Sequence, residues 1–379
     1  MDKRRIYLDN AATSFPKAPG VAEAVAGYLL HNGCNVNRSS YESAAEAEDL
    51  LLDTRHLLCR LFDFDTPSHV IFTPGITHSL NVILKGLLRP GDHCIVSSFE
   101  HNAVLRPLHS LGVDWSMVPL LPDGSFLHPE VLFRPNTRLV VMTHASNVFG
   151  NILPLEQMGA LCRERGVYFV VDCAQTAGHL PVSWKNLGAD ALCFAGHKGL
   201  LGPQGIGGML LSKRLAQELP PLIEGGTGSA SHLLDTPCFL PDKFEAGTLN
   251  IPGIFGLHQA LEFLLETGVE TIAKKEQALY SRFWEGLQNL QTVRGIHAPG
   301  RGQTSVVSVI VPGMDLAEAA WKLETEHRIQ TRCGLHCAPL AHQTMGTFPE
   351  GTIRFSMGYH TTDWEVDTAL EALSQLGGF

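Results

Sequence analysis

Short apolar runs that alternate with helical patterns constrain the fold of this chain more than any other feature. The runs are apolar on both faces, which is typical of strands in a parallel sheet that helices cover on both sides. The predicted strands lie at residues 69–72, 94–96, 139–142, 167–171 and 191–194, and the helical patterns at residues 21–30, 45–61 and 155–165. The pattern predicts an α/β fold with a mostly parallel sheet flanked by helices.

Polar residues follow each of these predicted strands. They are Thr73-Pro74-Gly75, Glu100-His101, Ser146-Asn147, Asp172 and His197-Lys198. The carboxyl ends of parallel strands meet at one edge of a sheet, and ligands of such sheets bind beyond that edge. We therefore expect these residues to surround one site.

The second part of the chain has a different pattern. A break near residues 245–253 precedes a long predicted helix at residues 254–265. Further predicted elements are strands at 305–311 and 352–357, a helix at 316–326 and a last helix that starts at Thr362 with capping-box spacing to Glu365. The 379 residues are thus expected to form a large domain, 20–253, and a smaller α+β domain built from 1–19 and 254–379.

Composition and charge exclude several classes of function. The net charge of −10 and the lack of a basic run argue against nucleic acid as a partner. No apolar stretch reaches the roughly 18 residues of a membrane span. The nine cysteines, an odd number without regular spacing, favour reduced thiols over a disulfide framework. No signal-peptide core follows the N-terminal charges, so we expect a cytoplasmic protein.

Lys198 and Asp172 suggest a cofactor site. Lys198 lies in the glycine-rich turn Phe194-Ala195-Gly196-His197-Lys198-Gly199, and Asp172 closes an apolar run upstream. A lysine can hold pyridoxal phosphate (PLP) as a Schiff base, and a buried aspartate can pair with the protonated pyridine nitrogen. The alternatives are a solvated lysine and an aspartate that caps the next helix. The two residues in combination favour a PLP site.

Residues at other strand ends could contact the same cofactor. A glycine turn and a helix start bring free backbone N–H groups and the hydroxyl of Thr77 to a position where a phosphate could bind. His101 could stack on a pyridine ring or lie in a surface loop. Asn147 and Gln175 could cap turns or form a hydrogen bond with the phenolic oxygen of the cofactor.

Cys337 is a candidate nucleophile. It follows Arg332-Cys333-Gly334-Leu335-His336, and the nearby Arg332 and His336 could favour its thiolate form. Residues 334–351 lack a clear period, so we expect a loop that carries the thiol in and out of the site. A competing hypothesis is a zinc site made of Cys333, His336, Cys337 and His342, although the spacing fits no common zinc pattern.

Arg354 indicates where an anion binds. It lies in a short predicted strand with apolar neighbours, and an arginine there needs an anionic partner. The partner is either the α-carboxylate of a substrate, held by two hydrogen bonds, or a structural carboxylate. Together with lysine, aspartate and cysteine, this residue suggests an enzyme that takes sulfur, or selenium, from an amino acid.

With these motifs the sequence resembles the cysteine desulfurases of the class V aminotransferase group, PLP-dependent transferases of fold type I. The resemblance extends from Tyr7-Leu8-Asp9-Asn10-Ala11-Ala12-Thr13 to the final helix. Residues 334–342, Gly-Leu-His-Cys-Ala-Pro-Leu-Ala-His, are most similar to the group II (SufS-like) branch. The resemblance implies a homodimer in which the smaller domain carries the cysteine loop.

The resemblance also implies a role for each site residue. Lys198 would hold PLP and move protons, Asp172 would pair with the pyridinium, and His101 would stack on the ring. The other residues would contact the phosphate (Ile76, Thr77 and His197), the phenolic oxygen (Gln175), the cofactor and substrate (Asn147), the substrate carboxylate (Arg354) and the phosphate of the partner subunit (Thr248). Arg332 and His336 are further candidates for substrate contacts.

Three stretches depart from the family pattern. Leu335 stands where the family often has a histidine in the cysteine loop. Ala195 stands where the family often has a serine that contributes to phosphate binding, so that contact should be missing or replaced. Asn37 and Tyr41 stand where group II has histidines, which should alter the substrate side of the site.

The predicted function is that of a PLP-dependent cysteine desulfurase. It would convert L-cysteine to L-alanine, and Cys337 would take the sulfur as a persulfide for an acceptor protein. Selenocysteine lyase activity is the nearest alternative, because the same site would serve and selenium leaves more easily. A class V aminotransferase acting on another amino acid would leave Cys337 unexplained. A non-catalytic scaffold that binds a sulfur-carrier protein would leave the pair of Lys198 and Asp172 unexplained.

Overall fold

The computed structural model of this chain describes residues 5–36 and 41–376. Its strands are β1 (Ile6–Tyr7), β2 (Val70–Thr73), β3 (His93–Ser97), β4 (Asp114–Val118), β5 (Thr137–Thr143), β6 (Asn151–Ile152), β7 (Tyr168–Asp172), β8 (Ala191–Ala195), β9 (Gly207–Leu211), β10 (Arg294–Ile296), β11 (Gly302–Gln303), β12 (Val306–Ile310), β13 (Ile329–Gln330), β14 (Arg332–Gly334) and β15 (Thr352–Ser356). Its α-helices are α1 (Val21–Gly27), α2 (Glu42–Phe62), α3 (Ile76–Leu87), α4 (Asn102–Leu111), α5 (Leu155–Arg165), α6 (Trp184–Leu187), α7 (Lys213–Glu218), α8 (Ile251–Thr267), α9 (Val269–Gln288), α10 (Leu316–His327), α11 (Pro339–Thr344) and α12 (Asp363–Gln375).

The larger sheet has seven strands in the order β2-β9-β8-β7-β5-β3-β4. β9 is antiparallel to β2 and β8, and the other neighbouring pairs are parallel. Along β5, Leu139 and Val141 belong to one hydrophobic core, while Val140 and Met142 belong to the other. Successive side chains of a strand point to opposite faces, so both faces of the sheet are buried. The prediction of an α/β fold with a mostly parallel sheet is confirmed.

Helices cover both faces of this sheet. Apolar residues of α2, α5 and α8 pack into one core, and those of α3, α4 and α7 into the other. Because the helices take up the space above and below the sheet, a ligand can reach the parallel strands only at their ends. In the described ranges, no helix combines the length and the apolar composition that crossing a membrane requires.

The second sheet has four antiparallel strands in the order β10-β12-β15-β14. Its core contains apolar residues of α9, α10 and α12 together with Ile6 and Leu8 from the N-terminal segment. That segment is attached here because β1 pairs in parallel with β13. Thr362 caps α12, and Glu365 completes the predicted capping box.

α8 leads from the large sheet towards the second one. It starts three residues before the predicted helix, and Asn250 caps it by accepting a hydrogen bond from the Gly253 N–H at 3.1 Å. Leu257 and Leu261 of α8 pack into the core of the large sheet. The predicted division of the chain after residue 253 stays a prediction.

Candidate active site

The predicted strand-end residues lie at one edge of the large sheet. β3, β5, β7 and β8 run parallel there, and Thr143, Asp172 and Cys193 are paired neighbours near their carboxyl ends. The charge of Lys198 affects the pKa of both Asp172 and His101. The structure therefore brings the lysine, the aspartate and the histidine into one site.

Lys198 is partly buried, and the pKa of its amine is lower than that of an ordinary lysine. Burial lowers its pKa to about 8; Asp172 opposes this effect, and Arg354 and Arg332 add to it. No ion pair joins Lys198 to a carboxylate in the part of the chain that the structure describes. The neutral, nucleophilic amine of Lys198 is therefore much more populated near neutral pH than that of an ordinary lysine.

Asp172 is buried at the end of β7 and is 3% exposed. Its Oδ1 accepts a hydrogen bond from the Ala174 N–H at 2.9 Å. Burial raises the pKa of Asp172, and Lys198 opposes that rise. A carboxyl group in this situation is stabilised as the anion by a cationic partner, which fits a protonated pyridine nitrogen.

His197 offers a further polar atom to a bound group. Its Nδ1 is buried and has no hydrogen-bond partner among the described residues. Its carbonyl oxygen is fixed by the Ser14 N–H and by Lys17 Nζ, both at 2.9 Å. The turn is therefore fixed through the His197 carbonyl oxygen, while the imidazole ring retains a nitrogen without a hydrogen-bond partner. A ligand oxygen can satisfy that nitrogen.

The first turn of α3 is open to a ligand. Gly75 precedes the helix without a side-chain cap, and a Cβ atom added there would meet nothing within 4 Å. Thr77 in this turn lines a cleft of about 400 Å³ that His101 and Cys337 also line. Free N–H groups at a helix start bind phosphates, so Ile76 and Thr77 fit the predicted role.

His101 caps α4 with its ring. Nδ1 accepts a hydrogen bond from the Ala103 N–H at 3.0 Å. Burial, together with the positive charges of Lys198 and Arg332, lowers the pKa of His101 to about 4. The imidazole is therefore neutral, with its proton on Nε2, and an uncharged flat ring suits stacking on a pyridine.

The side-chain amides of Gln175 and Asn147 each donate one hydrogen bond to a backbone carbonyl of the protein. Gln175 Nε2 donates to the Ala11 carbonyl at 3.1 Å, and Asn147 Nδ2 donates to the His336 carbonyl at 2.7 Å. Each NH₂ group has a second hydrogen, which remains for a cofactor or substrate. Asn147 thus connects the edge of the large sheet to the cysteine segment.

Arg354, in β15 of the second sheet, contacts the edge of the large sheet. It is 2% exposed, its Nη1 donates to the Asn147 carbonyl at 2.8 Å, and its Nη2 lies 2.6 Å from Asp9 Oδ1. Arg332 is its direct partner across the β14–β15 pair. Two arginines opposite each other repel; Asp9 offsets one of the two positive charges, and the remaining positive charge suits a substrate carboxylate.

The segment that bears Cys337 is more ordered than the sequence suggests. Instead of a continuous loop, it contains the short helix α11, which starts at Pro339. His336 and Cys337 both have left-handed backbone angles, with φ of 48° and 59°. The Cys337 carbonyl accepts a hydrogen bond from the Asn102 N–H at 2.7 Å, and its thiol is exposed.

The other residues of the zinc hypothesis have different surroundings. Cys333 packs against the core of the second sheet, and His336 Nε2 lies 3.1 Å from the Thr352 carbonyl. Burial lowers the pKa of His336 to about 2, so its ring is neutral. In residues 5–36 and 41–376, no group of three or more His, Cys, Asp or Glu side chains is arranged to hold a metal ion.

Thr248 lies outside the cleft of Cys337. It is exposed and lines a separate cavity of about 250 Å³, together with Thr73, Pro74 and His78. Its contact with a partner subunit stays a prediction.

Two of the residues that depart from the family pattern have different outcomes. Ala195 is buried in β8, and Asn37 lies outside the described residues.

Sequence reasoning missed the contribution of the N-terminal segment. Asp9 pairs with Arg354, Ala11 accepts from Gln175, and Lys17 donates to His197. The polar residues Asp9 and Asn10 directly after the apolar Leu8 were the available signal. Glu100 was expected at this edge of the sheet, but its complete burial was not; one of its oxygens, Oε2, has no partner among the described residues.

Comparisons with known protein families, sequences and structures identify relatives of this chain. The model of the family "Aminotransferase class-V" matches residues 6–369. A "Probable cysteine desulfurase" of Pyrococcus abyssi is 33% identical over 392 residues, which cover 98% of this chain and 94% of the relative. This chain belongs to the cysteine desulfurases of that family. The predicted family is therefore confirmed, while membership of the group II branch stays a prediction.

Other cysteine desulfurases are similar over comparable lengths. The "Cysteine desulfurase" of Salmonella newport is 32% identical, with 98% of this chain and 93% of the relative covered. The chain spans only 56% of a 31% identical "Probable cysteine desulfurase" of Mycolicibacterium paratuberculosis, although 99% of this chain is covered.

Solved structures of cysteine desulfurases share the fold. The apo enzyme of Thermococcus onnurineus aligns with a TM-score of 0.89 at 31% identity, covering 98% of this chain and 94% of that one. The cysteine desulfurase CsdA of Escherichia coli aligns with a TM-score of 0.87 at 27% identity, covering 98% and 94%.

Proposed function

We propose that this chain converts L-cysteine to L-alanine with the help of PLP, and that Cys337 takes the sulfur as a persulfide. The observation that carries the proposal is the position of the Cys337 thiol at the site of Lys198 and Asp172. The cleft that Cys337 lines also contains His101 and Thr77, and Cys337 affects the pKa of Lys198. A class V enzyme of another type would have no use for a thiol at this position.

The residues around Lys198 suit PLP. Lys198 would hold it covalently, Asp172 would pair with its pyridine nitrogen, and His101 would lie against its ring. Ile76, Thr77 and His197 would bind its phosphate, and Gln175 would donate to its phenolic oxygen. When bound, PLP supplies a ring that withdraws electrons from the substrate α-carbon.

Arg354 would bind the substrate carboxylate through Nε and Nη2. Nε has no partner among the described residues, so a carboxylate would satisfy it. Arg332, opposite Arg354 in the sheet, adds positive charge on the same side. Lys198, whose pKa is lowered to about 8, can take a proton from the α-carbon and return one to the product.

Sulfur transfer requires one bond exchange. The Cys337 thiolate attacks the substrate sulfur, a sulfur–sulfur bond forms, and the carbon–sulfur bond breaks. The electron pair of the broken bond stays with the three-carbon fragment, which takes up protons and leaves as alanine. The persulfide on Cys337 is then exposed to solvent, as is the thiol itself, so a thiol of an acceptor protein can take the outer sulfur.

A homodimer is part of the proposal. Large apolar side chains in the irregular segment between α7 and α8 are exposed; they are Leu222, Ile223, Leu233, Leu234 and Phe239. Thr248 lies at the end of the same segment, so a partner subunit that covers the segment would lie next to Thr248, and we infer that Thr248 then reaches the phosphate of the partner's cofactor.

The test compares two exposed cysteines. Cys337→Ser should abolish sulfide release and alanine formation from L-cysteine, while the visible absorbance of bound PLP is retained. Cys238→Ser is the matched control, because Cys238 is also exposed and should leave turnover unchanged. Undiminished alanine formation by Cys337→Ser would rule out the persulfide step. Turnover of L-selenocysteine but not L-cysteine by the unaltered protein would favour the lyase instead.

A further inference from the structure

Behind the turn that bears Lys198 lies a buried histidine that the proposed reaction does not use. His179 belongs to the turn after β7, where its N–H donates to the Thr176 carbonyl at 3.0 Å. A Cβ atom added to Gly199 would lie 2.3 Å from His179 Cδ2 and 2.6 Å from Nε2. The imidazole ring therefore lies directly against the residue that follows Lys198.

The two turns also contact each other through their backbones. A Cβ atom added to Gly178, which has a φ of 82°, would lie 2.1 Å from the Gly199 carbonyl oxygen. Glycine is needed at both positions because any side chain would separate the turns. The position of Lys198 is therefore sensitive to the position of His179.

His179 in turn is held by a carboxylate from the other part of the molecule. Its Nδ1 lies 2.8 Å from Oε2 and 3.0 Å from Oε1 of Glu276 in α9. Both side chains are at least nine-tenths buried. Burial lowers the pKa of His179, but the neighbouring Glu276 carboxylate raises it by more, so the net shift favours the protonated ring.

Glu276 is connected to the sheet that bears Arg354. Ser305 Oγ lies 3.3 Å from Glu276 Oε2 and 2.8 Å from the Met357 carbonyl oxygen, and its single hydrogen is shared between these two acceptors. Ser305 directly precedes β12, and Met357 directly follows β15, the strand of Arg354. Continuous contacts thus lead from Gly199 through His179 and Glu276 to the strand of Arg354.

We propose that His179 and Glu276 are positioning residues, which fix the turn of Lys198 and align it with the sheet of Arg354. A buried pair of ionisable groups contributes little to stability, because the desolvation of any charge opposes the attraction between the partners. Such a pair can instead fix one geometry, as residues that orient a reacting group do. The inference rests on the proposed function, since it takes Lys198 as the lysine that reacts.

The test measures how fast Lys198 captures PLP. The apoprotein is mixed with PLP, the covalent product is reduced with borohydride, and the modified Lys198 peptide is counted by mass spectrometry. His179→Ala and Glu276→Ala should slow capture and lower kcat by about tenfold or more, because a small misplacement of a reacting group has effects of that size. The double variant should be no slower than either single one, since the two residues act as a unit.

Two further variants separate positioning from stability. Glu276→Gln keeps an oxygen for His179 Nδ1 and should recover most of the capture rate. His258→Ala is the matched control, because His258 also pairs with a carboxylate, Asp53 at 2.8 Å, at the surface. A lower melting temperature with unchanged capture and kcat, or additive effects in the double variant, would overturn the inference.

If the alanine variants do not fold, His179→Gln is measured instead. A capture rate of His179→Gln equal to that of the unaltered protein would overturn the inference. If the unaltered protein captures PLP but forms no alanine from L-cysteine, the proposed function fails, while the capture rates still decide whether His179 positions Lys198.

Discussion

Nη2 of Arg354 lies 2.6 Å from Oδ1 of Asp9, and Nε of the same guanidinium is buried without a partner among the described residues. A carboxylate that binds side-on to arginine uses two N–H groups, Nε and one Nη. Nη2 has a second hydrogen besides the one that Asp9 accepts, so a substrate carboxylate bound through Nε and Nη2 would lie close to the negative charge of Asp9. Asp9 thus stabilises the buried charge of Arg354 and also competes electrostatically with the substrate carboxylate for it.

Replacing Asp9 by asparagine should strengthen substrate binding. Asp9→Asn removes the competing charge, and a hydrogen bond to a charged group contributes about 1.5–3 kcal/mol, so KM for L-cysteine should fall by about tenfold. Asp367→Asn is the control, because Asp367 pairs with Arg282 at the surface at 2.7 Å. Steady-state kinetics provide the measurement, and an unchanged or higher KM in Asp9→Asn would show that the two carboxylates do not compete.

Covalent capture of PLP should depend on pH through Lys198. Only the neutral amine is a nucleophile, and burial lowers the pKa of Lys198 from 10.5 to about 8. The capture rate should therefore rise with pH, reach half of its maximum near pH 8 and then level off. The rate is followed by visible absorbance, with Lys198→Ala as the background. A rate that keeps rising to pH 10.5 would indicate an unperturbed lysine.

Glu100 should make the folded state less stable as the pH rises. Burial raises its pKa from 4.5 to about 8. Between these values the unfolded chain has released the proton that the folded chain keeps, so a higher pH favours unfolding. Glu100→Gln removes this effect, and its stability relative to the unaltered protein should increase between pH 5 and pH 8. Urea unfolding at both pH values measures the difference, and a constant difference would contradict the assignment.

Asn147 should matter more for sulfur transfer than for cofactor binding. Its Nδ2 donates to the His336 carbonyl at 2.7 Å, and His336 and Cys337 both hold left-handed backbone angles that are unfavourable for residues other than glycine. Asn147→Ala should therefore loosen the thiol and reduce sulfide release, with a smaller effect on PLP affinity. Asn136→Ala is the control, since Asn136 donates to the Gly91 carbonyl at 2.8 Å in a loop. A loss confined to PLP affinity would place the role of Asn147 at the cofactor.

Local patterns were enough to predict the sheet and the residues at its edge. Asp172 and Lys198 each follow an apolar run, so the position of each run also fixes the position of the polar residue after it. The pattern failed for two strands of this sheet. The edge strand β4 has mostly exposed side chains, and β9 has two glycines, which weaken a strand signal. They are needed all the same, since a Cβ atom added to Gly208 would lie 2.5 Å from the Ile71 carbonyl oxygen.

Contacts between distant residues could not be predicted in this way. Asp9 and Arg354 are 345 residues apart, and His179 and Glu276 are 97 apart. Each residue alone suits an ordinary polar position, and only the packing of the two sheets brings the partners together. The helix α11 was missed for another reason, because its six residues are too few to establish a helical period.

Sulfur transfer to Cys337 is tested most directly by the mass of the Cys337 peptide after the PLP-loaded protein has reacted with L-cysteine without a reductant. We expect one added sulfur atom on Cys337, an equal amount of alanine, and neither product in Lys198→Ala. Alanine formation with an unmodified Cys337, or added sulfur on Cys238 instead, would contradict the claim that Cys337 receives the sulfur.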